Sequence, residues 1–208
     1  MKKILCYGDS NTFGYNPADM SRFDEDIVWT SVLQENLGSG YEVINEGLCD
    51  RMGFVNNEKG FEFSSQKHFP KFISKAENVD FLILFIGTND LQFQYDISFG
   101  AVEKGLENLI NLAQKKVKNI IVIPPVILDE SILKGFFNFQ FDKTSIVKSR
   151  KIGRIFRKIS NIYHCLYFDI NKITQPSDTD GLHYSKESHK IIGEKLADFI
   201  LSQSQSHD

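Results

Sequence analysis

Cysteine is scarce in this 208-residue chain: Cys6, Cys49 and Cys165 are the only three. No two form a C-x-x-C pair and the number is odd, so neither a disulfide framework nor a thiolate metal site is indicated. Buried free thiols in a reducing, cytoplasmic compartment are the expectation. Long apolar runs are also missing. The longest, 81–86, is far too short to span a bilayer. The stretch behind Met1-Lys2-Lys3 is too short for a signal-peptide core and is cut by Asp9. Positive charge is not in excess: 24 basic against 27 acidic residues give a net charge of −3. Nothing there favours nucleic acid or an anionic membrane. G-x-S-x-G, the Walker A pattern and G-x-G-x-x-G are all absent, so neither an α/β-hydrolase elbow nor a nucleotide cradle is supported. His68, His164, His183 and His189 show no metal spacing. No internal repeat and no linker divides the chain.

What is present is ordinary for a soluble globular protein, with 41% hydrophobic and 25% charged residues. The length suits one domain over 1–208 with a continuous core. Five apolar stretches read as strands: 4–7, 41–44, 81–86, 119–123 and 164–168. The third is apolar throughout, as a parallel strand buried on both faces must be. Helical spacing marks 26–37, 69–77, 99–117, 145–160 and 185–203, the last with Ser185 as N-cap. The alternation predicts an α/β fold: a three-layer α/β/α sandwich around a five-stranded parallel sheet, in the flavodoxin-like order 2-1-3-4-5. The polar tail 202–208 is expected to fray. Residues 48–68 have no clear period and read as a long surface loop. The basic residues of 145–160 read as a solvated face. Phe136, Phe137, Phe139 and Phe141 leave two readings open. Core packing under a loop is favoured over an apolar wall or lid above a substrate.

The chain is organised around Gly8-Asp9-Ser10-Asn11, which ends the first strand. In a sheet of this order the loops after strands 1 and 3 flank a crevice, the edge where ligands bind. Polar residues collect there: Ser10 after strand 1, Gly47 after strand 2, Asn89 after strand 3, Asp180 and His183 after strand 5. Acyl transfer needs a nucleophile, a base, a group orienting the base, and donors for the oxyanion. Ser10 can attack a carbonyl; His183 can take its proton, since imidazole titrates near neutrality. Asp180, three residues earlier, can hold one ring nitrogen. The backbone N–H groups of Ser10 and Gly47 and the Asn89 amide can receive the oxyanion. Taken singly, each has a plain structural reading: a positive-φ turn at Gly47, a turn or cap at Asn89-Asp90, a turn at Asp180-Gly181. Their convergence on one sheet edge favours a site. His189 lacks a carboxylate three residues before it and reads as supporting structure.

These residues carry a resemblance to the SGNH, or GDSL-type, serine esterases and lipases. Gly8-Asp9-Ser10 resembles the first block of that family, Gly47 the second-block glycine, Gly87-Thr88-Asn89-Asp90 the third block, and Asp180-Gly181-Leu182-His183 the fifth. Similarity through Gly8–Pro17 and Asp24–Trp29 points to the arylesterase-like and carbohydrate-acetylesterase-like branch. Leu48-Cys49-Asp50-Arg51-Met52 departs from the Asn-Gly-Arg-Thr pattern of that branch. The resemblance implies hydrolysis of small-molecule carboxylic esters, short-acyl or acetyl, through an acyl-enzyme on Ser10. It implies no cofactor and no metal, and leaves a homo-oligomer open. The rival readings are acyl transfer from the same site and a non-catalytic flavodoxin-like binding module.

Overall fold

The computed structural model describes residues 1–56 and 58–205. Five parallel strands form one sheet: β1 (Lys2–Gly8), β2 (Tyr41–Gly47), β3 (Phe81–Phe85), β4 (Asn119–Ile123) and β5 (Leu166–Tyr167), in the spatial order β2-β1-β3-β4-β5. This is the order expected from the alternation of strands and helices. β3 is buried along its whole length, and Ile4–Tyr7 of β1 and Ile120–Ile123 of β4 are buried beside it. Burial on both faces explains why these strands read as unbroken apolar runs. The register is level at the carboxyl end: Gly8 lies opposite Gly47 on one side and Phe85 on the other, and Phe85 lies opposite Ile123. The loops leaving β1, β2 and β3 therefore emerge side by side.

Helices cover the sheet in two groups. α2 (Trp29–Leu37) packs against the long C-terminal helix α6 (Lys186–Gln205). α3 (Ser65–Ser74), α4 (Phe99–Ala113) and α5 (Lys143–Ile162) form a second packed row, α3 on α4 and α4 on α5. A short turn of helix, α1 (Ser10–Phe13), follows β1 directly. Caps set several boundaries. Ser98 opens α4 by accepting the Ala101 N–H. Asp142 opens α5 in a capping box with Ser145. Ser185 accepts the Ser188 N–H at 3.3 Å, as expected for the start of α6.

Several boundaries differ from the sequence reading; α2 starts at Trp29 rather than 26 and α4 ends at Ala113 rather than 117. α3 begins at Ser65 rather than near 69, where the Lys67 and His68 N–H groups donate to the Ser64 carbonyl, and so Pro70 lies inside the helix. β5 has two residues rather than five, since His164 takes a left-handed φ of 53° in the turn that ends α5. α6 continues through Gln205, past the point where the polar tail begins, and 206–208 lie outside the described residues. No helix among the described residues is long and apolar enough to cross a membrane.

Candidate active site

The three polar residues nominated from strand ends 1 and 5 meet in one relay. Ser10 Oγ lies 2.8 Å from His183 Nε2, and His183 Nδ1 lies 2.7 Å from Asp180 Oδ2. All three are buried. The other oxygen of Asp180 accepts the N–H groups of Leu182 and His183, each at 2.9 Å. Gly181 makes this possible: its φ of 70° reverses the chain, and a Cβ there would lie 2.6 Å from the Ile132 nitrogen. Burial raises the Asp180 carboxyl, but the His183 ring and the two backbone N–H groups outweigh it and leave the pKa below its ordinary value. The carboxylate is thus ionised and fixed against the imidazole.

Asn11 ties this loop to the nucleophile's own turn. Its amide donates to the Leu182 carbonyl at 3.3 Å, and its oxygen accepts the Tyr184 N–H at 3.2 Å. His183 sits between those two anchor points. Trp29 Nε1 in turn donates to the Asn11 carbonyl at 3.0 Å. Asp9, buried, caps α1 by accepting the Asn11 N–H at 3.1 Å, and burial pushes its carboxyl up. Ser10, as the first residue of α1, has an N–H with no intrahelical acceptor.

Asn89 lies just beyond β3 and is buried. Its amide donates to the Arg51 carbonyl at 3.1 Å, leaving a second N–H. Asp90 beside it is wholly buried and accepts three backbone N–H groups, from Gly53 at 2.6 Å and from Phe54 and Val55 at 2.7 Å each. Burial pushes the Asp90 pKa up to about 6 against the pull of those bonds. The Asn89-Asp90 pair, in the short helical turn 89–91, thus bonds to the loop 51–55 through both side chains.

Gly47 does not have a positive φ. It is glycine because α1 passes close by: a Cβ at Gly47 would lie 2.1 Å from the Phe13 nitrogen and 2.5 Å from the Thr12 carbonyl carbon. Its N–H donates to Asn45 Oδ1 at 2.8 Å. Service to an oxyanion therefore requires exchange of that bond.

The Phe-rich segment divides. Phe141 is core, at 1% exposure. Phe136 and Phe139 are 62% and 56% exposed, contrary to the core reading. Phe137 packs edge-on against the His183 ring, with centroids 5.4 Å apart, and Tyr15 lies over the same ring at 4.1 Å. The segment folds here because Gly135 and Gln140 close short helical turns around 136–139 and the Gln140 carbonyl accepts the Phe93 N–H. Sequence reasoning missed Asn11, Tyr15, Arg51, Asp90 and Phe137. Asn11 and Asp90 were signalled only by adjacency to Ser10 and Asn89. Nothing in the pattern set Phe137 apart from its aromatic neighbours.

The sequence matches the GDSL-like Lipase/Acylhydrolase family over residues 4–196. The chain belongs to this family. As a GDSL-type enzyme it is a carboxylic ester hydrolase. Solved structures share its fold. The aryl esterase of M. smegmatis is 24% identical with a TM-score of 0.89, over 97% of this chain and 99% of that one. A carbohydrate acetylesterase family member from Sinorhizobium meliloti is 25% identical with a TM-score of 0.86, over 96% and 97%. The lipase/acylhydrolase from Enterococcus faecalis is more distant, 20% identical with a TM-score of 0.69, over 98% and 97%. No curated protein sequence matches the chain. Among the described residues of this esterase no group of three His, Cys, Asp or Glu side chains is placed to hold a metal.

Proposed function

We propose that this esterase cleaves short-acyl esters through a Ser10-His183-Asp180 triad, with residues 1–208 acting as one SGNH domain. The observation that carries the reading is the unbroken relay of 2.8 and 2.7 Å from Ser10 Oγ through His183 to Asp180. Ser10 Oγ attacks the ester carbonyl as His183 Nε2 takes its proton. The oxyanion is received by the Ser10 N–H and the free N–H of the Asn89 amide. The Gly47 N–H joins them by leaving Asn45 Oδ1, because a charged oxygen is a stronger acceptor than a neutral amide. Collapse of the adduct expels the alcohol, which takes the proton from Nε2 and leaves an acyl-enzyme. Water then attacks with His183 again as base, and Ser10 recovers its proton.

The leaving alcohol departs on the side of His183, since that ring must protonate it. Tyr15 and Phe137 pack against that ring, and we take them as the walls the alcohol meets. Of the two ester classes named for the structural relatives, aryl and carbohydrate acetate, the aromatic walls fit an apolar or aryl alcohol better. Free thiols fit a cytoplasmic location, with Cys49 and Cys165 pushed by burial to about 11 and so kept protonated.

The test is a fluorophosphonate probe beside a screen of p-nitrophenyl esters from acetate upward. Covalent labelling at Ser10 with turnover falling as the acyl chain lengthens is expected. Folded protein that neither labels nor turns over any ester would leave the binding-module reading. Preferred transfer to an added alcohol over water would instead make the enzyme an acyltransferase.

A further inference from the structure

Asp90 is a fully buried carboxylate that the reaction does not use, and its three partners are successive backbone N–H groups of one loop, Gly53, Phe54 and Val55. A buried carboxylate costs stability unless it is hydrogen-bonded, and all three bonds that offset the cost here come from this loop. The same loop is gripped at its other end. The Arg51 guanidinium is buried, donates to the carbonyls of Gly8 and Glu46 at the ends of β1 and β2, and lies over the Tyr7 ring at 4.2 Å. Gln66 adds a bond to the Gly53 carbonyl at 2.9 Å. Between these grips the Arg51 carbonyl accepts one N–H of Asn89. The amide of Asn89 is thus held by a carbonyl that two buried charges, one of each sign, pin to the strand ends.

We infer that Asp90 and Arg51 are positioning residues that strap loop 51–55 in place so that its Arg51 carbonyl orients the Asn89 amide toward the oxyanion. This rests on the proposed role of Asn89. The physical need is clear. An oxyanion donor earns its effect by being aimed in advance, and an amide on a free χ2 torsion is not aimed unless its other N–H is occupied. Asn89 stands in the short helical turn beyond β3; the Gln92 amide donates to its oxygen at a long 3.5 Å, and the loop carbonyl, at 3.1 Å, is the closer hold on its amide nitrogen. Asp90 follows Asn89 directly, so the loop is fastened to the same turn that carries the donor.

The experiment compares Asp90→Asn, Asp90→Glu, Arg51→Lys, Asn89→Ala and the double variant Asn89→Ala/Asp90→Asn on p-nitrophenyl acetate. Thermal unfolding and far-UV spectra are recorded on each preparation, and kinetics are measured well below every Tm. Asp90→Asn swaps an acceptor oxygen for an NH2 that faces backbone donors, and kcat should fall about 10–100-fold with KM changed less than about threefold. Asp90→Glu keeps the charge and should restore part of the loss. The double variant should be no slower than Asn89→Ala within about threefold, because the strap acts only through that amide. Losses that multiply in the double variant overturn the inference, as does a folded Asp90→Asn protein with lowered Tm and wild-type kcat. If Asp90→Asn does not fold, Arg51→Lys decides by the same coupling with Asn89→Ala, since a lysine cannot fork to both strand-end carbonyls. A wild-type protein inert toward every ester would overturn the oxyanion role itself, and the strap with it.

Discussion

Nδ1 of His189 lies 3.1 Å from the Trp29 N–H, the first donor of α2. The residue at the N-cap, Val28, has no side-chain acceptor, so a histidine from α6 caps α2 across the helix pair. His189 is wholly buried, and burial first, then the nearby His183, hold its pKa down to about 3. It is a neutral structural acceptor.

His189→Ala should therefore cost stability, about 1–3 kcal/mol for the orphaned buried N–H alone, and leave kcat per folded molecule within about threefold. The acid response gives a second check. An unfolded histidine protonates near its ordinary value of about 6.5, while the native one resists to about 3. The unfolded state thus binds the extra proton between those limits, and stability is lost as pH falls through them. The loss approaches about 1.4 kcal/mol per pH unit. His189→Gln keeps an acceptor oxygen and cannot titrate. Its Tm should fall less steeply with acid than that of the wild type. Equal slopes, or a kcat loss matching His183→Ala, would count against this role.

Ser10→Ala and His183→Ala should each lower kcat by at least about 10⁴-fold with the fold intact, and the double variant should be little worse. EDTA should leave turnover unchanged, as the relay needs only protein groups. Steady-state rates on the three variants and a chelator control check both statements. Wild-type turnover by folded Ser10→Ala would remove the nucleophile from the scheme.

The strands and the Asp180–His183 half of the relay were legible in the sequence because each is a short-range pattern, while the Ser10–His183 contact across 173 residues followed from the strand order expected of alternating strands and helices. Buried strands read as apolar runs, and Asp180-x-x-His183 is a local turn whose geometry Gly181 permits. Elements fixed by tertiary partners were not legible. The helix read over 69–77 instead starts at Ser65, with Pro70 inside it. Arg51 looks like any surface cation, and the carbonyls of Gly8, Glu46 and Glu62 and the Tyr7 ring beneath it explain its burial. The four phenylalanines of 136–141 share a composition but not an environment, since Phe141 enters the core and Phe137 meets His183.

Phe137→Ala removes one aromatic wall beside the base. An edge-on aromatic contact contributes about 0.5–1.5 kcal/mol beyond its area, so kcat/KM for benzyl acetate should fall about 2–10-fold. Ethyl acetate has a leaving alcohol of similar basicity and no ring, and should change less than about twofold. Equal losses on the two substrates would show that Phe137 acts on the His183 ring and not on the alcohol.

Asn89→Ala should lower kcat by about 10²–10³-fold, or about 2.7–4 kcal/mol, with KM little altered. The amide bond tightens only as the carbonyl oxygen gains charge, so it favours the transition state over bound substrate. Ser10 should still label slowly with a phosphonate, because the triad is untouched. A variant that loses Tm and keeps kcat would make Asn89 a turn residue.

Gly47→Ala separates two uses of one residue. A Cβ there would meet the backbone of Thr12 and Phe13 at 2.1 to 2.6 Å, and backbone cannot turn aside as a side chain can. The atoms it strikes belong to α1, which begins at Ser10. The new methyl must push that turn away from β2, carrying Ser10 Oγ out of its 2.8 Å bond with His183 Nε2. Both Tm and phosphonate labelling should fall, by margins that Asn89→Ala does not approach. Were Gly47 only a donor of its N–H, alanine would retain that N–H, and the variant would label at the wild-type rate. Tm and labelling rate measured on one preparation distinguish the close approach from the hydrogen bond.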